Sequence, residues 1–177
     1  MKEPPKADWR GFVRRFVARS TKVFTKKSYR KFNKRFSENP GLKIKQRKSV
    51  IVAIDTSGSM SIKSDLPQSF QELHHIHNLG VDILLVQFDC IVREESIKKY
   101  KKGYEEHINL WGRGGTDFNE IVAYANKHSK KYSALLVFTD GEAPVPTIKP
   151  QIKTLWIHST ESKINESLPG FKIQLNK

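Results

Sequence analysis

From Ser49 onward the chain repeats one pattern: a short apolar, β-branched run, then a stretch of helical periodicity, then another run. The runs fall at residues 50–54 (VIVAI), 81–88, 134–138 and 152–157, with a weaker one at 171–175. Helical spans lie at 67–79 and 118–128, the second opening after Asp117, a residue suited to capping a helix. Runs this short, with helices between them, predict an α/β fold: a mainly parallel, twisted sheet covered by helices on both faces. Residues 90–97 follow the second run after a turn too short for a crossover helix, which predicts an antiparallel edge strand there. No internal repeat or low-complexity tract interrupts the alternation.

The preceding segment is of another kind. Residues 1–48 hold 17 Lys and Arg against 3 Asp and Glu, and residues 49–177 hold 15 of each, so the net charge of +14 belongs to the first segment alone. The chain therefore divides into a basic segment at 1–48 and an α/β domain at 49–177. In 9–20 (WRGFVRRFVARS) the apolar residues Trp9, Phe12, Val13, Phe16 and Val17 form the stripe of an amphipathic helix, with Asp8 placed to cap it. Such a helix docks on a core or lies on a membrane surface, and docking is the reading preferred here. Residues 22–48 read as an extended basic arm interleaved with Phe24, Tyr29, Phe32 and Phe36, a composition that also suits nucleic acid. The start has no apolar signal core and no apolar run approaches the roughly 18 residues of a bilayer span, so a soluble, cytoplasmic protein is expected. Cys90 is the single cysteine, which rules out an internal disulfide and a cysteine-based zinc cluster.

Each polar cluster of the α/β part falls where a strand ends or a helix begins. Asp55-Thr56-Ser57-Gly58-Ser59 follows the first run, Gly114-Gly115-Thr116-Asp117 precedes a helix, and Thr139-Asp140-Gly141-Glu142 follows ALLVF. In open parallel sheets the loops beyond the carboxyl ends of the strands hold ligands. Asp55, Ser57, Ser59, Thr116 and Asp140 offer only hard oxygen donors, without sulfur or imidazole, which favours Mg²⁺, with Mn²⁺ acceptable. Gly58, Gly114 and Gly115 are read as letting the loops turn tightly so that the hydroxyls aim at one ion. Asp117 is divided between capping its helix and supporting the site from behind. His74, His75 and His77 invite a zinc reading, but no fourth ligand is evident in the sequence and solvated helix histidines explain them.

The D-x-S-x-S of Asp55, Ser57 and Ser59, the GGT of Thr116 and the TDG of Asp140 resemble the metal-ion-dependent adhesion site of von Willebrand factor type A (VWA) domains, which have a Rossmann-like fold. The longer arrangement W-R-x-F-V, R-K-F-N-K-R-F, DTSGSM, VQFD, GGTDF, FTDGE-x-P and LWIH resembles the C-terminal VWA-like domain of a bacterial metallopeptidase-like family whose genes neighbour MoxR-type AAA+ ATPases. The resemblance implies that the Ser57, Ser59 and Thr116 hydroxyls ligate the cation and that Asp55 and Asp140 hold it directly or through water. Gly141 and Glu142 then belong to the loop that shapes the site. It further implies a protein partner whose Asp or Glu completes the shell, with an AAA+ ATPase as the partner suggested by gene neighbourhood. No H-E-x-x-H occurs, so peptidase activity does not carry over and no catalytic residue is assigned. Two alternatives stand beside this reading: metal-dependent hydrolysis with Glu142 or Asp117 as base, and nucleic-acid binding through the arm.

Overall fold

A computed structural model of the 177-residue chain describes residues 8–20, 22–32, 39–47, 49–57, 66–78, 80–101 and 114–175. Helix α1 (Trp9–Arg19) starts where the sequence places a cap: Asp8 Oδ1 accepts a hydrogen bond from Gly11 N at 3.0 Å. Its apolar stripe is buried through Trp9, Val13, Phe16 and Val17. These side chains join the core of the α/β domain, so the stripe docks on the protein's own interior.

The segment read as an extended arm is a hairpin. Strands β1 (Lys22–Phe32) and β2 (Pro40–Arg47) pair antiparallel and form a separate two-stranded sheet. A bend at Asn39 leads directly into β2, and the Val, Phe, Thr and Tyr residues interleaved with the charges are good strand formers.

The remaining elements are β3 (Ser49–Asp55), α2 (Leu66–Asn78), β4 (Asp82–Phe88), β5 (Lys98–Lys99), α3 (Phe118–Lys127), β6 (Ala134–Thr139), β7 (Lys153–His158) and β8 (Phe171–Gln174). Among the described residues they build a six-stranded sheet in the order β5-β4-β3-β6-β7-β8, parallel except where β5 meets β4. The antiparallel edge therefore exists, but it lies at Lys98–Lys99 and not at 90–97. The intervening stretch curls instead. A single bridge joins Phe88 to Val92, a 3-10 turn spans Glu94–Ser96, and Gln87 N donates to Ser96 Oγ at 2.9 Å, taking a ladder position that a strand would have filled.

Successive residues of a strand face opposite sides, which explains the unbroken apolar runs. Val50, Val52 and Ile54 of β3 pack with α1 and α2 on one face, while Ile51 and Ala53 pack with α3 on the other. On the α3 face, Phe118 meets Trp156 edge-on with ring centroids 4.9 Å apart, and the indole N–H donates to Pro169 O at 2.7 Å. The chain passes from β3 to β4 on one side and returns to β6 on the other, so the strand order reverses between β3 and β6. At such a reversal the loops leave in opposite directions and open a crevice above the carboxyl ends of the strands.

Candidate metal centre

Asp55 ends β3 at that crevice and is 1% exposed. Its carboxylate gathers donors from two loops and the end of β6. Ser57 N donates to Oδ1 at 3.0 Å, Thr116 Oγ1 lies 3.2 Å from Oδ1 and 3.3 Å from Oδ2, and Thr139 Oγ1 donates to Oδ2 at 2.7 Å. Thr56 ties the same loop to the neighbouring strand, with its N–H and its hydroxyl both donating to Phe88 O at 2.9 and 3.1 Å. The loop that brings Thr116 is held by β4: Asp117 N donates to Asp89 O at 3.1 Å.

Burial pushes the Asp55 carboxyl above its ordinary range; the hydrogen bonds from Thr139 and Ser57 oppose this, and the charge of Asp140 adds to it. Asp140, at the end of β6, is 2% exposed, and its Oδ1 accepts from Glu142 N at 3.1 Å. A buried carboxyl group whose ionisation is opposed by burial and by the Asp140 charge, with no ion pair to Asp55 among the described residues, fits a divalent cation. A hydroxyl that donates its proton to Asp55 keeps its lone pairs, so Thr116 remains able to ligate. The donor set near Asp55 is oxygen only, as Mg²⁺ requires.

Of the expected ligands, Asp55, Ser57, Thr116 and Asp140 thus lie around one crevice, and Ser59 and Gly58 fall outside the described residues. Asp117 is a helix cap: its Oδ1 accepts from Asn119 N at 2.8 Å and from Asn119 Nδ2 at 3.1 Å. Glu142 is exposed at the rim. The glycines divide differently from the expectation. Gly141 has φ +77°, and a Cβ there would come within 2.6 Å of His158 Cε1, so this turn requires glycine. Gly114 and Gly115 have no left-handed backbone, and a Cβ on either would meet only ordinary contacts at 3.5 Å with Asp89 and Cys90. Both are exposed, and Gly114 lies in a bend.

Three residues that sequence reasoning left unassigned support the site. Thr139 makes the shortest of the Asp55 contacts; its signal was strand alternation, which turns it to the opposite side of the ladder from Phe138. Asp89 is buried, a cost to its charge that is outweighed by hydrogen bonds from Arg93 at 2.7 Å and Ile91 N and by the Arg93 charge, which hold its carboxyl below the usual range. His158 ends β7 fully buried against Gly141, and burial holds its imidazole below the usual histidine range although the Asp140 backbone and charge oppose this. The α2 histidines serve the helix and its end: His74 Nε2 pairs with Asn78 Nδ2 at 3.1 Å and His77 Nδ1 with Val81 O at 3.3 Å.

The chain is similar to known proteins in sequence and in structure. A chain of Thermotoga maritima described as an uncharacterized protein is 31% identical over 151 residues, covering 85% of this chain and 37% of the relative, so the present chain spans well under half of that protein. The ArnB paralog VWA2 from Sulfolobus acidocaldarius matches in structure with a TM-score of 0.41 and 18% identity, over 81% of this chain and 46% of that one. The family model described as a VWA-like domain (DUF2201) matches residues 50–175, which contain every element of the six-stranded sheet except the first residue of β3. By that match, the chain belongs to the VWA-like domain (DUF2201) family.

Proposed function

We propose that the chain is a Mg²⁺-dependent protein-binding module, with Mn²⁺ as an acceptable substitute and no reaction of its own. One observation carries this reading: a buried carboxylate, Asp55, on which Ser57 N from its own loop, Thr116 Oγ1 from the loop before α3 and Thr139 Oγ1 from the end of β6 converge at the reversal of strand order. Ser57, Ser59 and Thr116 would hold the ion through hydroxyls, and Asp55 and Asp140 would hold it directly or through its waters. Neutral hydroxyl ligands leave such an ion strongly electrophilic, so a partner's Asp or Glu carboxylate can complete its shell. A AAA+ ATPase of the MoxR type is the partner that the family resemblance suggests. Metal-dependent hydrolysis is less well supported, because Asp117 is occupied with its helix cap and Glu142 is exposed to solvent.

The test is calorimetric titration of Mg²⁺ and Mn²⁺ into EDTA-stripped protein, with and without acetate, and with Asp55→Ala as control. Saturable binding that strengthens with acetate and disappears in the variant is expected. Binding that survives Asp55→Ala would overturn the reading.

A further inference from the structure

His158 occupies a place that an apolar side chain would fill with less strain on the fold. It ends β7 with 0% of its surface exposed, and neither ring nitrogen has a hydrogen-bond partner. A buried nitrogen in that state forfeits the hydrogen bonds that water gives it in the unfolded chain. Trp156, two residues earlier and so on the same side of the sheet, belongs to the apolar core. The neighbours of His158 supply a reason for a histidine. The register sets it beside Thr139, whose Oγ1 donates to Asp55 Oδ2 at 2.7 Å and accepts from Gly141 N at 3.0 Å. Gly141 packs against the imidazole, since a Cβ there would lie 2.6 Å from Cε1 and 2.7 Å from Nδ1. Gly141 O also lies 3.5 Å from Asn165 Nδ2, in the loop after β7.

From this we infer that His158 is a positioning residue of the metal centre, acting through the Asp140–Gly141 turn; the inference rests on the reading of the crevice as a cation site. Asp140 stands between two residues that are held, Thr139 by its bond to Asp55 and Gly141 by its bond to Thr139 and its contact with His158. A carboxylate serves a cation well only where its turn keeps one place relative to the other ligands, and the imidazole is the surface against which this turn is fixed. Groups that hold ligands from behind set metal affinity by about 10–100-fold. The ring contributes polarity as well as bulk. The Asp140 backbone and charge both act on it, an attraction that an apolar ring of the same size would lack. The unpartnered nitrogens thus weaken the fold and serve the site.

His158→Phe tests this in the full chain, because it keeps a ring against Gly141 and removes both nitrogens. In EDTA the variant should melt at or above the parent's temperature, since two unsatisfied groups leave the core, while calorimetric titration should show Mg²⁺ bound about 10-fold more weakly. A residue that served only the fold would not part the two readouts in this way. Unchanged Mg²⁺ affinity in His158→Phe would overturn the inference and leave the cation site standing. A loss of affinity matched by a lower melting temperature in EDTA would overturn it too, by making the ring a structural filler. A parent that takes up no Mg²⁺ would instead remove the cation site, and the inference with it. Gly141→Ala, His158→Ala and their double variant attack the same contact from both sides, and they decide the matter if His158→Phe fails to fold by circular dichroism. Each single variant should weaken Mg²⁺ binding, and the double should lose no more than the larger single loss, because one contact is being broken twice. Losses that multiply would show two independent effects and overturn the inference.

Discussion

Asp55 is the residue at which the fold and the proposed site pull in opposite directions. Its folded-state carboxyl is raised by burial, so as pH climbs past the ordinary carboxylate value of 3.8 the unfolded chain ionises first and the fold loses stability. With no cation to offset it, that loss grows with pH until pH exceeds the raised folded value. Asp55→Asn removes the charge and keeps a carbonyl oxygen to accept from Ser57 N, while its amide NH2 can donate to Thr139 Oγ1 with the hydroxyl turned to accept. In EDTA the variant is expected to melt at a higher temperature than the parent at pH 7, with the gap closing below pH 4, and Mg²⁺ should no longer shift its melting. A lower melting temperature at pH 7 would show that the carboxylate contributes more through its three donors than burial costs. The main acceptor of this centre was legible in the sequence, because a carboxylate ending an apolar run has few bland explanations. Thr139 and His158 were not, since one is an ordinary strand residue and the other shows its role only when β7 is laid beside β6.

At the scale of elements, periodicity located α1, α2 and α3 to within a residue or two because each carries a stripe, and α1 and α3 also carry an aspartate that accepts from the first turn. The short edge strand was misplaced because its position depends on a curl set by Asp89, Arg93 and Ser96, contacts that periodicity does not encode. The arm became a hairpin through a pairing between residues as far apart as Lys22 and Arg47, which local pattern cannot report. The docking of α1 makes a quantitative claim. Phe16 is buried in the shared core and meets Phe171 edge-on at 5.6 Å, so Phe16→Ala should cost about 3–5 kcal/mol in urea unfolding. Asp8→Ala, which removes only the cap, should cost about 1 kcal/mol. If both variants unfold at the parent's urea midpoint, α1 is not part of the cooperative unit.

For the whole molecule the charge distribution and the fold divide the chain in the same place. Residues 49–177 are electrically balanced and bury Asp55 and Asp140 at one end of the sheet, while the surplus of cations belongs to residues 1–48. Mg²⁺ at about 100 times its dissociation constant stabilises a folded protein by about 2.7 kcal/mol. For a chain of this size that raises the melting temperature by about 5–10 °C. Because salt screens exposed charges far more than buried ones, this shift should persist between 50 and 200 mM NaCl in thermal melts, and Asp55→Ala should abolish it at both salts. A shift that fades over that interval, or that survives Asp55→Ala, would place the ion on exposed carboxylates away from the end of β3.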